Sequence, residues 1–185
     1  MAAGKSEALA ALGRLGAATL SADRVVHGLY DQTAVRDAVV ARLGDAVRSG
    51  HGVDRRAIAE RVFGSDAERA WLEGLLWPRV GKEIDAWHTE QARRDPPPAA
   101  IVVEVPLLFE AGMDALFDAP IAVVAEDAVR DKRAAARGLG SVDERAARQL
   151  PQAEKARRAD HVVSNDGTIA ELEQSLAEVL AKLKG

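Results

Sequence analysis

Cysteine is absent from this 185-residue chain, which excludes a disulfide framework, a thiolate metal site and a cysteine nucleophile. No stretch reaches the ~18 apolar residues of a membrane span, and the N-terminus lacks the basic region and apolar core of a secretory signal. An excess of positive charge is missing too. Lysine and arginine number 25 against 29 acidic residues, for a net charge of -4 and a pI near 5.6, whereas nucleic acid or an anionic membrane asks for a basic surface. There are no internal repeats and no low-complexity segments. These absences predict a soluble cytoplasmic protein that binds neither nucleic acid nor membrane. Clustered basic residues can still serve a small anionic ligand.

The chain does contain enough apolar residues, 48%, for one compact domain, or for a core domain carrying an insertion. It opens on Ala2-Ala3-Gly4-Lys5-Ser6, the second half of a phosphate-binding loop of the form G-x-x-x-x-G-K-[ST]. In the complete motif, backbone amides wrap the nucleotide phosphates, the lysine bridges the outer phosphates and the hydroxyl holds magnesium. The first glycine and its strand are absent upstream. Gly-Lys-Ser alone is too short to decide anything, so the rest of the chain carries the weight.

Leu9, Leu12 and Leu15 recur at helical spacing up to Gly16, which predicts a helix from the Lys5-Ser6 step with its amide end facing the loop. Residues 17–22 are short and apolar enough for a buried strand delivering Asp23 at its carboxyl end, the edge where open α/β sheets bind ligands. From Gln32 to His88 the pattern reads as helical throughout, with Val35, Val39 and Leu43 on one face and a Ser65/Glu68 capping box. Trp71, Trp77 and Trp87 are expected to pack this region. The run Arg93 to Pro98 breaks the helices. Further strands are predicted at 100–105, 121–125 and 161–163, with capping boxes at Ser141/Glu144 and Thr168/Glu171. Strands alternating with helices imply an α/β fold with a parallel sheet.

In order along the chain stand Ala2 to Ser6, Ser21-Ala22-Asp23, Arg61-Val62-Phe63, Leu72 to Pro78, Val105-Pro106-Leu107-Leu108-Phe109-Glu110, Arg137-Gly138 and Ala159 to Asn165. This series resembles the dephospho-coenzyme A kinase family. The run Val105 to Glu110 and the order of the pieces are its specific signals. The resemblance implies a P-loop kinase fold, with a core over 1–31 and 99–185, a helical substrate-binding insertion over about 32–95 and a lid over about 133–150. It also implies ATP-dependent phosphorylation of the ribose 3'-hydroxyl of dephospho-coenzyme A, with ATP and Mg2+ as cofactors. Ala2, Ala3, Gly4, Lys5, Ser6 and Glu7 would line the nucleotide phosphates. Lys5 would bridge the outer phosphates, Ser6 would ligate magnesium, and Glu104 would support the ion through water. Asp23 would accept or orient the hydroxyl proton. Arg133, Arg137 and Arg145 match the lid, and Asn165 the late asparagine near the nucleotide.

The chain departs from the family pattern at Ser21, Trp77, Glu7 and Ser164, where the family carries aspartate, histidine, threonine and aspartate. For the missing half-loop two explanations stand: a start assigned too late, with strand and glycines encoded upstream, or an inactive relative that acts as a binding module. Another small-metabolite or nucleotide kinase of the same architecture is the rival enzyme reading. Asp23 also fits a helix cap, and each lid arginine a solvated helix face.

Overall fold

The computed structural model describes residues 2–136 and 149–183. It divides into two compact units, Met1–Leu20 with Arg94–Gly185, and Ser21–Arg93.

In the first unit, helix α1 (Lys5–Arg14) follows the loop, and Gly16 (φ 88) turns the chain into strand β1 (Ala18–Ser21). β1 pairs with β4 (Ile101–Glu104), and Ala18 N–H donates to the Ala100 carbonyl at 2.9 Å. Strand β5 (Ile121–Val124) pairs in parallel with β6 (His161–Ser164), in register Ile121 to His161 and Val124 to Ser164. Helices α6 (Asp127–Ala136), α7 (Gln152–Arg158) and α8 (Ile169–Leu183) flank these strands. Among the described residues, β4 and β5 belong to separate pairs and not to one continuous ladder. The core is built where α1 and α8 meet the strands: Ala11 and Leu176 are fully buried, with Leu12, Val163 and Leu172 beside them. Leu172, Leu176, Val179 and Leu180 of α8 fall on this core at helical spacing, while Ile169 and Leu183 at its two ends are exposed. Its start is held by the expected capping box, with Glu171 N–H donating to Thr168 Oγ1 at 3.2 Å and Thr168 N–H to Glu171 Oε2 at 2.7 Å.

The second unit contains α2 (Ala22–Leu29), α3 (Thr33–Leu43), α4 (Arg55–Phe63) and the long α5 (Asp66–Ala92). Here the expectation of helix throughout is corrected. Two short strands, β2 (Arg48–Ser49) and β3 (Gly52–Val53), pair antiparallel around Gly50, whose φ of 54 suits a tight turn that helix cannot make. The unit also begins upstream of the expected boundary near residue 32. Leu29 and Tyr30 bury themselves with Val35, Val39, Leu76 and Val80, so the segment 21–31 takes its apolar neighbours from the helical core. Trp71 packs against this core as expected, under the Arg42 guanidinium 5.8 Å from its ring centre, while Trp77 is 42% exposed. Asp54 accepts from Arg56 N–H (2.8 Å) and Ala57 N–H (3.2 Å) to cap α4, and Ser65 Oγ caps α5 through Glu68 N–H at 3.3 Å. The Glu68 side chain does not complete a box, because both its oxygens receive Arg42.

Candidate nucleotide-phosphate site

Gly4 occupies the N-cap of α1 in the left-handed region (φ 91, ψ 25), and its carbonyl starts the helix by accepting from Ala8 N–H at 2.9 Å. No side chain caps this end. The first-turn amides, those of Lys5, Ser6 and Glu7, therefore have no intrahelical acceptor and add to the positive end of the helix dipole. This is a place where an anion is welcome. The Ser6 hydroxyl is on an exposed position and Lys5 on a half-buried one. Glu7 contributes its amide only, for its carboxylate meets Arg14 at 3.3 Å on the helix flank.

Behind the loop stands Asn165, 5% exposed, whose Nδ2 donates to the Ala3 carbonyl at 2.8 Å. Arg133, on α6, donates from Nη1 to the Asn165 carbonyl at 2.8 Å. The next residue, Asp166, accepts from Ser164 Oγ and from Glu126 N–H. The Ser164 hydroxyl first, then the Glu126 amide and the Arg133 charge, hold the Asp166 carboxyl below the ordinary aspartate value. Ser164 stands where the family has aspartate, and its hydroxyl orients the carboxylate two residues on.

Ala3 and Lys5 also open onto a cleft of about 460 Å³, walled by Val105, Phe109, the strand Ile121–Val124 and the segment from Gln149 to Lys155. Among the described residues, Lys5, Arg130 and Lys155 bring cations to its lining, where Arg130 pairs with Asp127 at 2.7 Å and Lys155 with Glu110 at 2.8 Å.

The structure thus brings Ala3, Gly4, Lys5, Arg133 and Asn165 together. Glu104 ends β4 on a half-buried position. Asp23 differs from expectation: it is not a strand-end residue but lies in the first turn of α2, exposed, because Ser21 already takes the N-cap position in extended conformation (φ -104, ψ 122). That also removes the capping alternative for Asp23. Arg137 and Arg145, with the Ser141/Glu144 box, lie outside the described residues. Sequence reading missed Lys155, Gln152 and Asp166, which are scattered lysines, glutamines and aspartates until the fold assembles them. Gln152 is an example: its amide donates to the Ala125 carbonyl (2.9 Å) and accepts from Ala125 N–H (3.0 Å), extending the end of β5 by a side chain.

Among the described residues no group of three His, Asp or Glu is placed to hold a metal ion, and no helix is long and apolar enough to cross a membrane.

The family described as Dephospho-CoA kinase matches residues 1–171. A dephospho-CoA kinase from Protochlamydia amoebophila is 37% identical over 185 residues, 98% of this chain and 91% of the relative. One from Symbiobacterium thermophilum is 38% identical over 175 residues, 91% of this chain and 72% of the relative. Among solved structures, TT1252 from Thermus thermophilus superposes with a TM-score of 0.81 at 31% identity, covering 100% of this chain and 94% of that one. The dephospho-CoA kinase from Campylobacter jejuni shares the fold at a TM-score of 0.65 and 23% identity, with 100% and 94% covered.

Proposed function

The chain belongs to the dephospho-CoA kinase family, and from that premise we propose how its own residues carry out the family's reaction. That reaction is the last step of coenzyme A biosynthesis, phosphorylation of the ribose 3'-hydroxyl of dephospho-CoA by ATP. The bond from the 3'-oxygen to the γ-phosphorus forms as the β–γ bridging bond breaks; ADP leaves, and the hydroxyl proton passes to a base or to water.

The observation that carries the reading is the left-handed Gly4 at the open amino end of α1, with Lys5 next in line. Phosphoryl transfer asks a protein for alignment and for positive charge around the moving oxygens more than for covalent chemistry. The loop from Ala2 through Glu7 lays its amides along the phosphates. Lys5 bridges the outer phosphates, and Arg133, already held beside Gly4 by Asn165, neutralises charge on the transferring group. Asp23 orients the 3'-hydroxyl and accepts its proton. A carboxylate suffices, since the loose transition state needs the nucleophile placed before it is fully deprotonated. By resemblance to the family lid, Arg137 and Arg145 would add to the phosphate contacts.

Magnesium would take the Ser6 hydroxyl as a hard oxygen ligand, with Glu104 supporting it through water, and would keep waters and phosphate oxygens for its remaining positions. When bound it screens the β- and γ-phosphate charge.

Acceptor competition tests the substrate. With ATP and Mg2+, phosphate is expected on dephospho-CoA and not on AMP, adenosine or pantothenate offered at equal concentration. Transfer to one of the others in preference to dephospho-CoA rejects the reading.

A further inference from the structure

We propose that Asn165 is a positioning residue for the nucleotide, one that sets the shape of the phosphate loop through Ala3 and Gly4 and does not read the adenine base. The inference rests on the reading of Gly4 to Ser6 as the loop that takes the ATP phosphates.

Asn165 is tied down at three points. Its backbone N–H donates to the Val124 carbonyl at 2.8 Å, just past the end of the β5–β6 ladder. Its carbonyl accepts from Arg133 Nη1 at 2.8 Å, and its side-chain Nδ2 donates to the Ala3 carbonyl at 2.8 Å. At 5% exposure it offers little surface to a ligand.

The loop needs such a support. Ala2 (φ 60) and Gly4 (φ 91) both sit in the left-handed region on either side of Ala3, a backbone that persists only when its surroundings hold it. The carbonyl and N–H of a trans peptide point in opposite directions. Holding the Ala3 carbonyl on Asn165 therefore turns the Gly4 N–H away from Asn165, the direction left for an anion. Gly4 is matched to this arrangement twice over. Its φ favours glycine, and a Cβ there would overlap Asn165 Nδ2 and lie 3.2 Å from Cγ. The same Cβ would lie 3.8 Å from Arg133 Nη1. One buried side chain and its own carbonyl thus align two phosphate-facing elements, the loop amides and a guanidinium.

The test compares wild type with Asn165→Ala and with the isosteric Asn165→Asp, which loses the donor. Three quantities are measured: KM for ATP, KM for dephospho-CoA, and the inhibition constant of inorganic tripolyphosphate against ATP. Losing a buried hydrogen bond on the loop is expected to raise the ATP KM about tenfold or more. The tripolyphosphate constant should rise by the same factor, and the dephospho-CoA KM should stay unchanged. An unchanged ATP KM overturns the inference. So does a raised ATP KM with an unchanged tripolyphosphate constant, for that pattern marks a base contact. If neither variant folds by thermal denaturation, Gly4→Ala displaces the same amide from the loop side and must give the same paired rise; wild-type constants there overturn the inference. A wild-type chain that uses no ATP at all rejects the loop assignment itself, an outcome separate from any of these.

Discussion

Glu110 Oε1 stands 2.8 Å from Lys155 Nζ, joining the segment after β4 to helix α7 across 45 residues of chain that includes all of β5 and α6. The contact is not a simple surface pair, for the two side chains are only 13% and 18% exposed. Leu150 N–H donates to the same carboxylate oxygen at 2.7 Å, and Lys155 also reaches the Pro106 carbonyl at 3.2 Å. Glu110 Oε2 is buried without a donor among the described residues. Burial pushes the Glu110 carboxyl up, but the hydrogen bonds from Lys155 and from backbone N–H groups outweigh it and hold the group below the ordinary glutamate value. Together with the Gln152 clamp on Ala125, this pair fixes the cleft wall that faces Lys5.

A pH dependence follows from the direction of that shift. A carboxyl whose pKa is lower in the folded state contributes stability that is fully present above its unfolded value and is lost as the pH falls through the folded value. Urea unfolding of the wild type should therefore show stability decreasing in acid. Glu110→Gln should cost about 2 kcal/mol at neutral pH, since it leaves a half-buried ammonium unpaired, and the difference should shrink toward zero in acid. A constant difference across the range would show that the charge pair does not matter.

Helix α8 offers a local test. Removing the Thr168 hydroxyl takes an acceptor from Glu171 N–H at a helix start that anchors the first unit's core. Thr168→Ala should lower stability by about 1 kcal/mol, read as a shift in the urea midpoint at unchanged slope. No shift would mean that water replaces the cap without loss.

The contrast between that helix and the loop explains what could be read in advance. The cap of α8 and the start of α1 are written in neighbouring residues, so both are legible within a residue or two. The hairpin at 48–53 was hidden because each strand has only two residues, too few for alternation to appear. Asp23 was placed by the carboxyl end of a strand, but Ser21 caps a helix one residue earlier than the apolar run suggested. Asn165 was singled out by resemblance, yet its contact with Ala3 spans 162 residues and nothing in the local pattern announces it. The Glu110–Lys155 pair escaped for the same reason: long-range pairing of charged residues has no periodicity to betray it.

Lys5 and Asp23 should fail differently. In the proposed mechanism Lys5→Ala removes a charge that would act on ATP both before and during transfer, so the ATP KM should rise and kcat should fall. Asp23→Asn keeps the shape but loses the proposed proton acceptor and should lower kcat by about two orders of magnitude or more with little change in ATP KM. Steady-state kinetics on the two variants separate the roles. Wild-type turnover in Asp23→Asn would remove it from the mechanism.

The most direct measurement is a transfer experiment with ATP carrying label in the γ-phosphate, Mg2+ and dephospho-CoA, in which the product is identified and the position of the label determined. Wild type is predicted to place the label on the ribose 3'-oxygen of coenzyme A, and Lys5→Ala to lose nearly all of that transfer while remaining folded. Label released only as free phosphate, carried at another position, or transferred equally well by Lys5→Ala would contradict the account.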